Sequence, residues 1–205
     1  TTPLPINLDV RRAQDGEPLA SKPYRELIGS LSYLMTGTRP DLAYAVSWLS
    51  RLLTKSTDRH WNAAVHTLRY LEANQNLRLI FKKEKAADEF DPNLLNIGRQ
   101  SWPYCAVDAD FGNDTEESKS TTGYIVFLIG PVSWRSKRQT IVATSTCYAE
   151  YIAASEVSRE ISWIRMLLTD IGFELSYPSI VLEDNVAAEL LSKNDGITDR
   201  SKHLR

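Results

Sequence analysis

Three acidic residues, Asp108, Glu150 and Asp184, stand in sequence contexts that suit them to chemistry. Asp108 and Asp184 each follow a short apolar run typical of a buried strand, and Glu150 opens a long amphipathic pattern typical of a helix. If the two strands are neighbours and the helix crosses their ends, the three carboxylates converge. Because like charges repel, such a cluster is stable chiefly when divalent cations occupy it. The pattern therefore predicts a two-metal centre of the kind that hydrolyses phosphodiester bonds.

The elements that would bring these acids together are predicted from apolar periodicity. It predicts strands over 104–110, 124–129, 132–136 and 180–183, and helices over 147–171 and 186–191. Gly130-Pro131 suits a hairpin between the second and third strands, and Gly172 ends the long helix. A right-handed crossover sets the fourth strand parallel to the first, which places Asp184 beside Asp108. The residues thus predict an α/β sheet with both acids at the carboxyl ends of strands.

The chain before this sheet carries a different pattern. Residues 1–22 contain three prolines and no periodicity, so they are predicted to form an extended arm. Three amphipathic stripes within residues 23–76 predict a small helical bundle, with Thr57 or Asp58 capping its third helix. The α/β domain then takes residues 77–205, beginning with a short strand at its first five residues. The sequence therefore predicts two folded parts and a leading arm.

Composition excludes several classes of function. The formal net charge is −2, which argues against a strongly basic surface for nucleic acid. No apolar run approaches about 18 residues, so the sequence predicts no membrane span. Cys105 and Cys147 form neither a disulfide framework nor a metal motif, which favours a reducing compartment. His60 and His66 are six residues apart, a spacing that does not place two ligands on one helix face, so they are predicted to be structural or exposed.

Local basic clusters are the remaining candidates for contact with nucleic-acid phosphates. Lys119 and Ser120 lie at a predicted hairpin turn, where phosphate contact and simple turn chemistry are equally compatible with their types. Basic residues also cluster on the third strand and near the end of the chain, namely Arg135, Lys137, Arg138, Arg200 and Lys202. The alternative for each cluster is a solvated surface that binds nothing.

Several motifs, in a common order, resemble those of one known family. A resemblance to the ribonuclease H domain of copia-type LTR retrotransposon polyproteins is carried by Asp108–Phe111, Glu117–Tyr124, Val132–Gln139, Ala149–Ala154, Glu183–Asn185 and Arg200–His203. A resemblance to the segment that joins reverse transcriptase to that domain is carried by Pro23–Leu34, Thr38–Val46 and Leu68–Leu71. Together these stretches extend over nearly the whole chain.

The resemblance implies a ribonuclease H-like mixed sheet with a crossover helix, preceded by a thumb-like or connection-like helical bundle. It implies hydrolysis of the RNA strand of RNA–DNA hybrids during reverse transcription, with the three acids holding two Mg²⁺ or Mn²⁺ ions. It further implies His203 as an assistant at the site and Asn185 as a nucleic-acid contact. Asp110 shares the face of the first acid, so it is either an assistant or merely a neighbour. The implied partners are the hybrid and the reverse transcriptase domain of the same polyprotein, in cytoplasmic virus-like particles.

The chain also departs from the family pattern. Val186 stands where relatives carry Gln, and valine cannot hydrogen-bond in the minor groove of a hybrid. Thr1 in place of an initiator Met indicates a fragment. The sequence stops at Arg205, before the family's last helix, last strand and fourth acid, which predicts an unpaired strand edge and weak cleavage that Mn²⁺ favours. The alternative is a non-catalytic or host-adopted module that binds nucleic acid or protein, although the intact acid triad favours the enzyme.

Overall fold

The computed structural model describes residues 2–5, 11–81, 102–114 and 116–193 of the chain. By internal contacts the chain divides into two compact units, Thr1–Leu79 and Ile80–Arg205. The first unit is helical and the second holds a mixed β-sheet. The fold class is therefore α/β, as the sequence predicts. Among the described residues, none of the helices is long and apolar enough to cross a membrane.

The described residues of the first unit form three amphipathic helices. These are α1 (Tyr24–Gly37), α2 (Ala43–Ser50, preceded by a 3₁₀ turn over Pro40–Leu42) and α3 (Asp58–Ala73). Leu31, Leu42 and Leu49 are fully buried where the apolar stripes meet. Thr57 caps α3 as predicted, and its backbone N–H donates a 2.9 Å hydrogen bond to Nδ1 of the buried His60. His60 therefore has a structural role in this capping box.

Described residues before α1 contact the bundle. Thr67 of α3 donates a 3.0 Å hydrogen bond to the Pro3 carbonyl, and the Ala20 N–H donates a 2.8 Å bond to Ser56. His66, the second histidine of the predicted pair, contacts the Thr2 carbonyl oxygen through Nε2 at 3.0 Å. Backbone groups of an otherwise irregular segment are thereby satisfied by the helices.

The strand predicted over 77–81 is wrong. Within the described residues this segment belongs to no sheet, and its apolar side chains Leu77, Ile80 and Phe81 are each more than half exposed. An apolar run becomes a strand only where a neighbouring backbone offers hydrogen bonds. Ile80 and Phe81 instead lie close to the hairpin turn at Gly130. A Cβ on Gly130 would lie 2.6 Å from the Ile80 carbonyl oxygen, so this close approach requires glycine.

Within the described residues, the second unit contains a four-stranded sheet in the order β3-β2-β1-β4. Its elements are β1 (Tyr104–Asp110), β2 (Thr121–Phe127), β3 (Pro131–Arg138), α4 (Thr146–Asp170), β4 (Val181–Leu182) and α5 (Val186–Lys193). The first three strands are antiparallel, and β4 pairs parallel to β1. The predicted crossover is therefore confirmed, although β2 begins three residues before its predicted start of 124 and β4 is only two residues long.

Helix α4 covers one face of this sheet. Val157, Ile161 and Ile164 of the helix pack on Cys105 and Val107 of β1 in one buried cluster. Burial of each large apolar side chain stabilises the fold by roughly 1.5–3 kcal/mol. Because side chains alternate along a strand, the even-numbered residues of β1 point to the other face. The packing thus fixes which end of α4 meets the carboxyl end of β1.

Candidate metal centre

The three predicted acids meet at the carboxyl ends of β1 and β4. Asp108, Glu150 and Asp184 each present a carboxylate oxygen, and these oxygens all lie within 4.8 Å of one another. Asp108 and Asp184 are exposed, whereas Glu150 is only 4% exposed. Hard carboxylate oxygens at this spacing are the ligands that Mg²⁺, Mn²⁺ and Ca²⁺ prefer. The three side chains form a candidate divalent-cation site, here called the acid triad.

Each acid of the triad is positioned by a separate element. Asp108 lies near the carboxyl end of β1, in register with Gly123 of β2. Asp184 comes two residues after the end of β4. Glu150 is placed by the start of α4, where Ser145 caps the helix and its Oγ accepts a 3.1 Å hydrogen bond from the Tyr148 N–H. The parallel pairing of β1 with β4 and the N-cap of α4 therefore determine the geometry of the site.

Burial raises the pKa of Glu150. Its pKa is raised to about 7, first by removal from water and then by the negative charges of Glu183, Asp108 and Asp184. A hydrogen bond from the Ala109 backbone opposes this rise without cancelling it. A metal-free site at neutral pH therefore carries uncompensated carboxylate charge, which a bound divalent cation would neutralise.

Glu183 is a fourth acid at the site that the sequence analysis did not assign. It is half-buried, and burial first, then the charges of Asp184 and Asp108, raises its pKa despite an opposing hydrogen bond from the Asn185 N–H. That bond is 3.1 Å long and ends on Oε1. The sequence does place Glu183 near the site, because it directly precedes Asp184 in the Glu-Asp-Asn run.

Two buried oxygens at the site have no hydrogen-bond partner in the described part of the chain. They are Oε2 of Glu150 and Oε2 of Glu183. A buried carboxylate oxygen without a donor is costly, so such atoms mark places where a water or cation completes the structure. The orphaned oxygens, together with two exposed carboxylates, fit a divalent cation better than they fit a metal-free protein.

Two other predicted site residues have local partners. Asp110 is exposed, lies outside the acid triad and accepts a hydrogen bond from the Asn113 side chain. Asn185 caps α5, because its Oδ1 accepts a 3.0 Å hydrogen bond from the Ala188 N–H. Asn185, and not the preceding Asp184, therefore occupies the N-cap of α5. The carboxylate of Asp184 is thus left to the triad.

The predicted phosphate contacts differ in their surroundings. Arg138 forms ion pairs with Asp114 at 2.6 Å and Glu117 at 2.9 Å, and Lys119 pairs with Glu117 at 2.7 Å. Ser120 is fully buried and accepts a hydrogen bond from a backbone N–H, so its hydroxyl belongs to the turn. On β3, Arg135 is exposed and Lys137 is half-buried. The predicted residues Arg200, Lys202 and His203 lie outside the described residues.

The fold and the acid triad define a mixed α/β domain with a candidate carboxylate site for divalent cations, and comparison with known proteins gives its family. The chain is 41% identical over 182 residues to the retrovirus-related Pol polyprotein from transposon RE2 of Arabidopsis thaliana, over 88% of this chain and 12% of that protein. It is 38% identical over 187 residues to the Pol polyprotein from transposon TNT 1-94 of Nicotiana tabacum, over 91% of this chain and 13% of that protein. The chain belongs to the family of retrovirus-related Pol polyproteins from copia-type transposons.

The coverage of these matches is unequal. The chain spans 11 to 13% of the length of the polyproteins that it matches. It is also 39% identical over 143 residues to the secreted RxLR effector protein 161 of Plasmopara viticola, over 69% of this chain and 91% of that protein. No protein-family model matches the chain. No solved structure matches it.

Proposed function

We propose that the second unit is a ribonuclease H-like domain that hydrolyses the RNA strand of RNA–DNA hybrids during reverse transcription of a copia-type element. The observation that carries this proposal is the convergence of Asp108, Glu150 and Asp184 within 4.8 Å. Membership in the Pol polyprotein family supports it, because such polyproteins come from retrovirus-related transposons. The mixed sheet, with a helix crossing between parallel β1 and β4, is consistent with a ribonuclease H-like fold.

The chemistry follows from the donor set. A pair of Mg²⁺ or Mn²⁺ ions, when bound, supplies activation of water and stabilisation of the departing oxygen. Asp108 and Asp184 would be the exposed ligands, through which the ions stay accessible to a phosphate of the substrate. Glu150 is the buried ligand, held in place by α4 and by its hydrogen bond with the Ala109 backbone. Oε2 of Glu183, which lacks a hydrogen-bond partner in the described part of the chain, would accept a hydrogen bond or coordinate a cation.

The substrate is proposed from the polymer that such a polyprotein handles. A hybrid is recognised by backbone shape, 2′-hydroxyl groups and phosphates, and not by base sequence. Because the formal net charge is −2, the phosphate contacts would have to come from local basic clusters. Arg135 and Lys137 on β3 are the proposed phosphate contacts of the described residues, together with Arg200 and Lys202 from the sequence. His203 is proposed as an assistant at the catalytic site. Asp110 is proposed only as a neighbour of the site. The reverse transcriptase domain of the same polyprotein is the proposed partner, and virus-like particles in the cytoplasm are the proposed location.

The test is cleavage of a labelled RNA–DNA hybrid by the 205-residue chain in Mg²⁺ or Mn²⁺. The wild type should cut the RNA strand and leave a DNA duplex intact. Asp184→Asn should reduce cleavage at least about 100-fold, because it removes a ligand of a two-metal site. Asp170→Asn, the same change at the far end of α4, should cleave as the wild type does. Absence of both metal binding and cleavage in the wild type would refute the proposal.

A second candidate is a module that binds nucleic acid or protein without cutting. It is favoured by one comparison, in which 91% of a protein carrying the name of a secreted effector is matched by this chain. On this hypothesis the wild type binds a hybrid or a protein with equal affinity in Mg²⁺ and in EDTA, and Asp184→Asn leaves that affinity unchanged. A metal-dependent cleavage that Asp184→Asn abolishes would exclude it.

A further inference from the structure

One buried polar residue, Gln139, joins the helix that carries Glu150 to β2, the strand that pairs with the Asp108-bearing strand β1. It directly follows β3 and is only 1% exposed. Its backbone N–H donates a 2.8 Å hydrogen bond to the Ser120 carbonyl, which fixes the residue to the start of β2. Its Nε2 donates to Thr122 Oγ1 at 3.1 Å and to the Ala149 carbonyl at 2.9 Å. The side chain therefore bridges the sheet and the first turn of α4.

Both ends of this bridge adjoin the triad. Ala149 is the residue directly before Glu150 in α4. Thr122 pairs with Ala109 of β1, whose backbone hydrogen-bonds to the Glu150 carboxylate, and the next position of β2 pairs with Asp108. Gln139 thus ties the turn that bears Glu150 to the strand register that bears Asp108. The distance between these two carboxylates depends on how firmly that turn is held to the sheet.

The free energy of burying Gln139 indicates that its role is not simple packing. A buried primary amide costs free energy unless its donors and acceptors are satisfied. Nε2 of Gln139 has two acceptors, whereas its Oε1 has no partner in the described part of the chain. An apolar side chain of similar length would avoid that cost at this position. An apolar side chain could not, however, donate hydrogen bonds to both the sheet and the first turn of α4.

We propose that Gln139 is a positioning residue that holds Glu150 at the correct distance from Asp108 for cation binding. This rests on the proposed function, because it assigns to the bridge a role in assembling the metal site. Removing a group that orients a metal ligand without touching the metal lowers metal affinity by roughly 10–100-fold. A residue that only fills the core would instead change the stability of the fold and leave cation affinity alone.

The experiment compares Gln139→Met with Val157→Ala in the 205-residue chain. The methionine variant keeps the length of the side chain and removes both Nε2 hydrogen bonds. Val157 is fully buried in the same core and lies on α4 away from the triad, so its truncation supplies a matched loss of packing. The concentration of Mg²⁺ that half-saturates thermal stabilisation, and the concentration that half-saturates hybrid cleavage, are measured for each protein.

Gln139→Met should raise the half-saturating Mg²⁺ concentration about 10-fold or more. Its cleavage rate at saturating Mg²⁺ should stay within a few-fold of the wild-type rate, since the ligands themselves remain. Val157→Ala should leave the half-saturating concentration within about twofold of wild type, even if both variants lose the same stability in EDTA. Equal Mg²⁺ half-saturation in Gln139→Met and the wild type would overturn the positioning role.

A second variant decides the question if Gln139→Met does not fold. Thr122→Val keeps the shape of the threonine and removes the hydroxyl that anchors the amide to β2. It should raise the half-saturating Mg²⁺ concentration in the same direction by a smaller factor, and an unchanged value would overturn the proposal. A wild type that is neither stabilised by Mg²⁺ nor active would overturn the proposed function, and this inference with it. A wild type that binds Mg²⁺ normally beside unaffected variants would overturn the positioning role alone.

Discussion

Replacing Glu150 with glutamine should stabilise the metal-free protein while it removes metal binding. The glutamine keeps the size of the side chain and can still accept the hydrogen bond from the Ala109 backbone. Its NH₂ group can donate to the neighbouring carboxylates, including the orphaned oxygen of Glu183. The substitution therefore converts a repulsive contact into an attractive one, at a position that is 4% exposed.

The size of the effect follows from the pKa of Glu150, which rises from its usual 4.5 to about 7 in the fold. Each pKa unit corresponds to about 1.4 kcal/mol, so ionising Glu150 in the folded protein costs ~3 kcal/mol at most. Counterions and relaxation of the exposed Asp108 and Asp184 lower this to about 1–3 kcal/mol. The folded pKa lies above the unfolded one, so the wild type loses stability as pH rises from about 4.5 through about 7.

The assay is urea unfolding in EDTA at pH 5 and pH 8, followed by the same measurement in Mg²⁺. Glu150→Gln should exceed the wild type by about 1–3 kcal/mol at pH 8 and by far less at pH 5, because the wild-type carboxyl is then largely protonated. Mg²⁺ should stabilise the wild type and leave the variant unchanged, and cleavage by the variant should be lost. Glu156→Gln, on the same helix, is the control and should show neither effect. A variant that is less stable than the wild type in EDTA at pH 8 would refute the reasoning.

Three further predictions concern the framework around the site. Arg138→Gln should destabilise the second unit by about 1–3 kcal/mol in urea unfolding, because it leaves the buried Asp114 carboxylate without its ion pair. Adding Asp114→Asn should recover part of that loss. His60→Ala should cost the first unit about 2–4 kcal/mol through a lost cap and a cavity, and should leave the Mg²⁺ response of the protein unchanged. Leu31→Ala should cost about 2–5 kcal/mol, measured by chemical unfolding, since the side chain is fully buried.

Much of the sheet and the acid triad could be predicted from sequence because the signals were local and repeated. The alternation of apolar and polar residues through Cys105 and Val107 predicted which side chains of β1 face the core. The long amphipathic pattern of α4, with Gly172 at its end, predicted the crossover helix. Handedness then required β4 to lie parallel to β1. Asp108 and Asp184 could be placed together on these grounds alone, and the structure confirms their proximity.

The remainder depended on contacts between residues far apart in sequence. The segment from Leu77 has the composition of a strand, but its partner could not be read locally, and the described residues provide none. Lys119 and Arg138 had the residue types of phosphate contacts, and only the fold shows that Asp114 and Glu117 already pair with them. Charge clusters in a sequence predict binding sites poorly when acids from neighbouring loops can neutralise them.

The shortness of β4 has a consequence for the motion of the protein. Asp184 follows a strand of two residues, Val181 and Leu182, that pairs only with β1 in the described part of the chain. Segments with so few backbone hydrogen bonds open locally at low free energy. A cation that binds only the closed form raises the free energy of opening by RT ln(1 + [L]/Kd), which is about 2.7 kcal/mol at a hundredfold excess over Kd. Backbone amides of this strand should therefore exchange with deuterium about a hundredfold more slowly in Mg²⁺ at that excess. The ion that is proposed for the chemistry would then also hold this edge of the sheet closed.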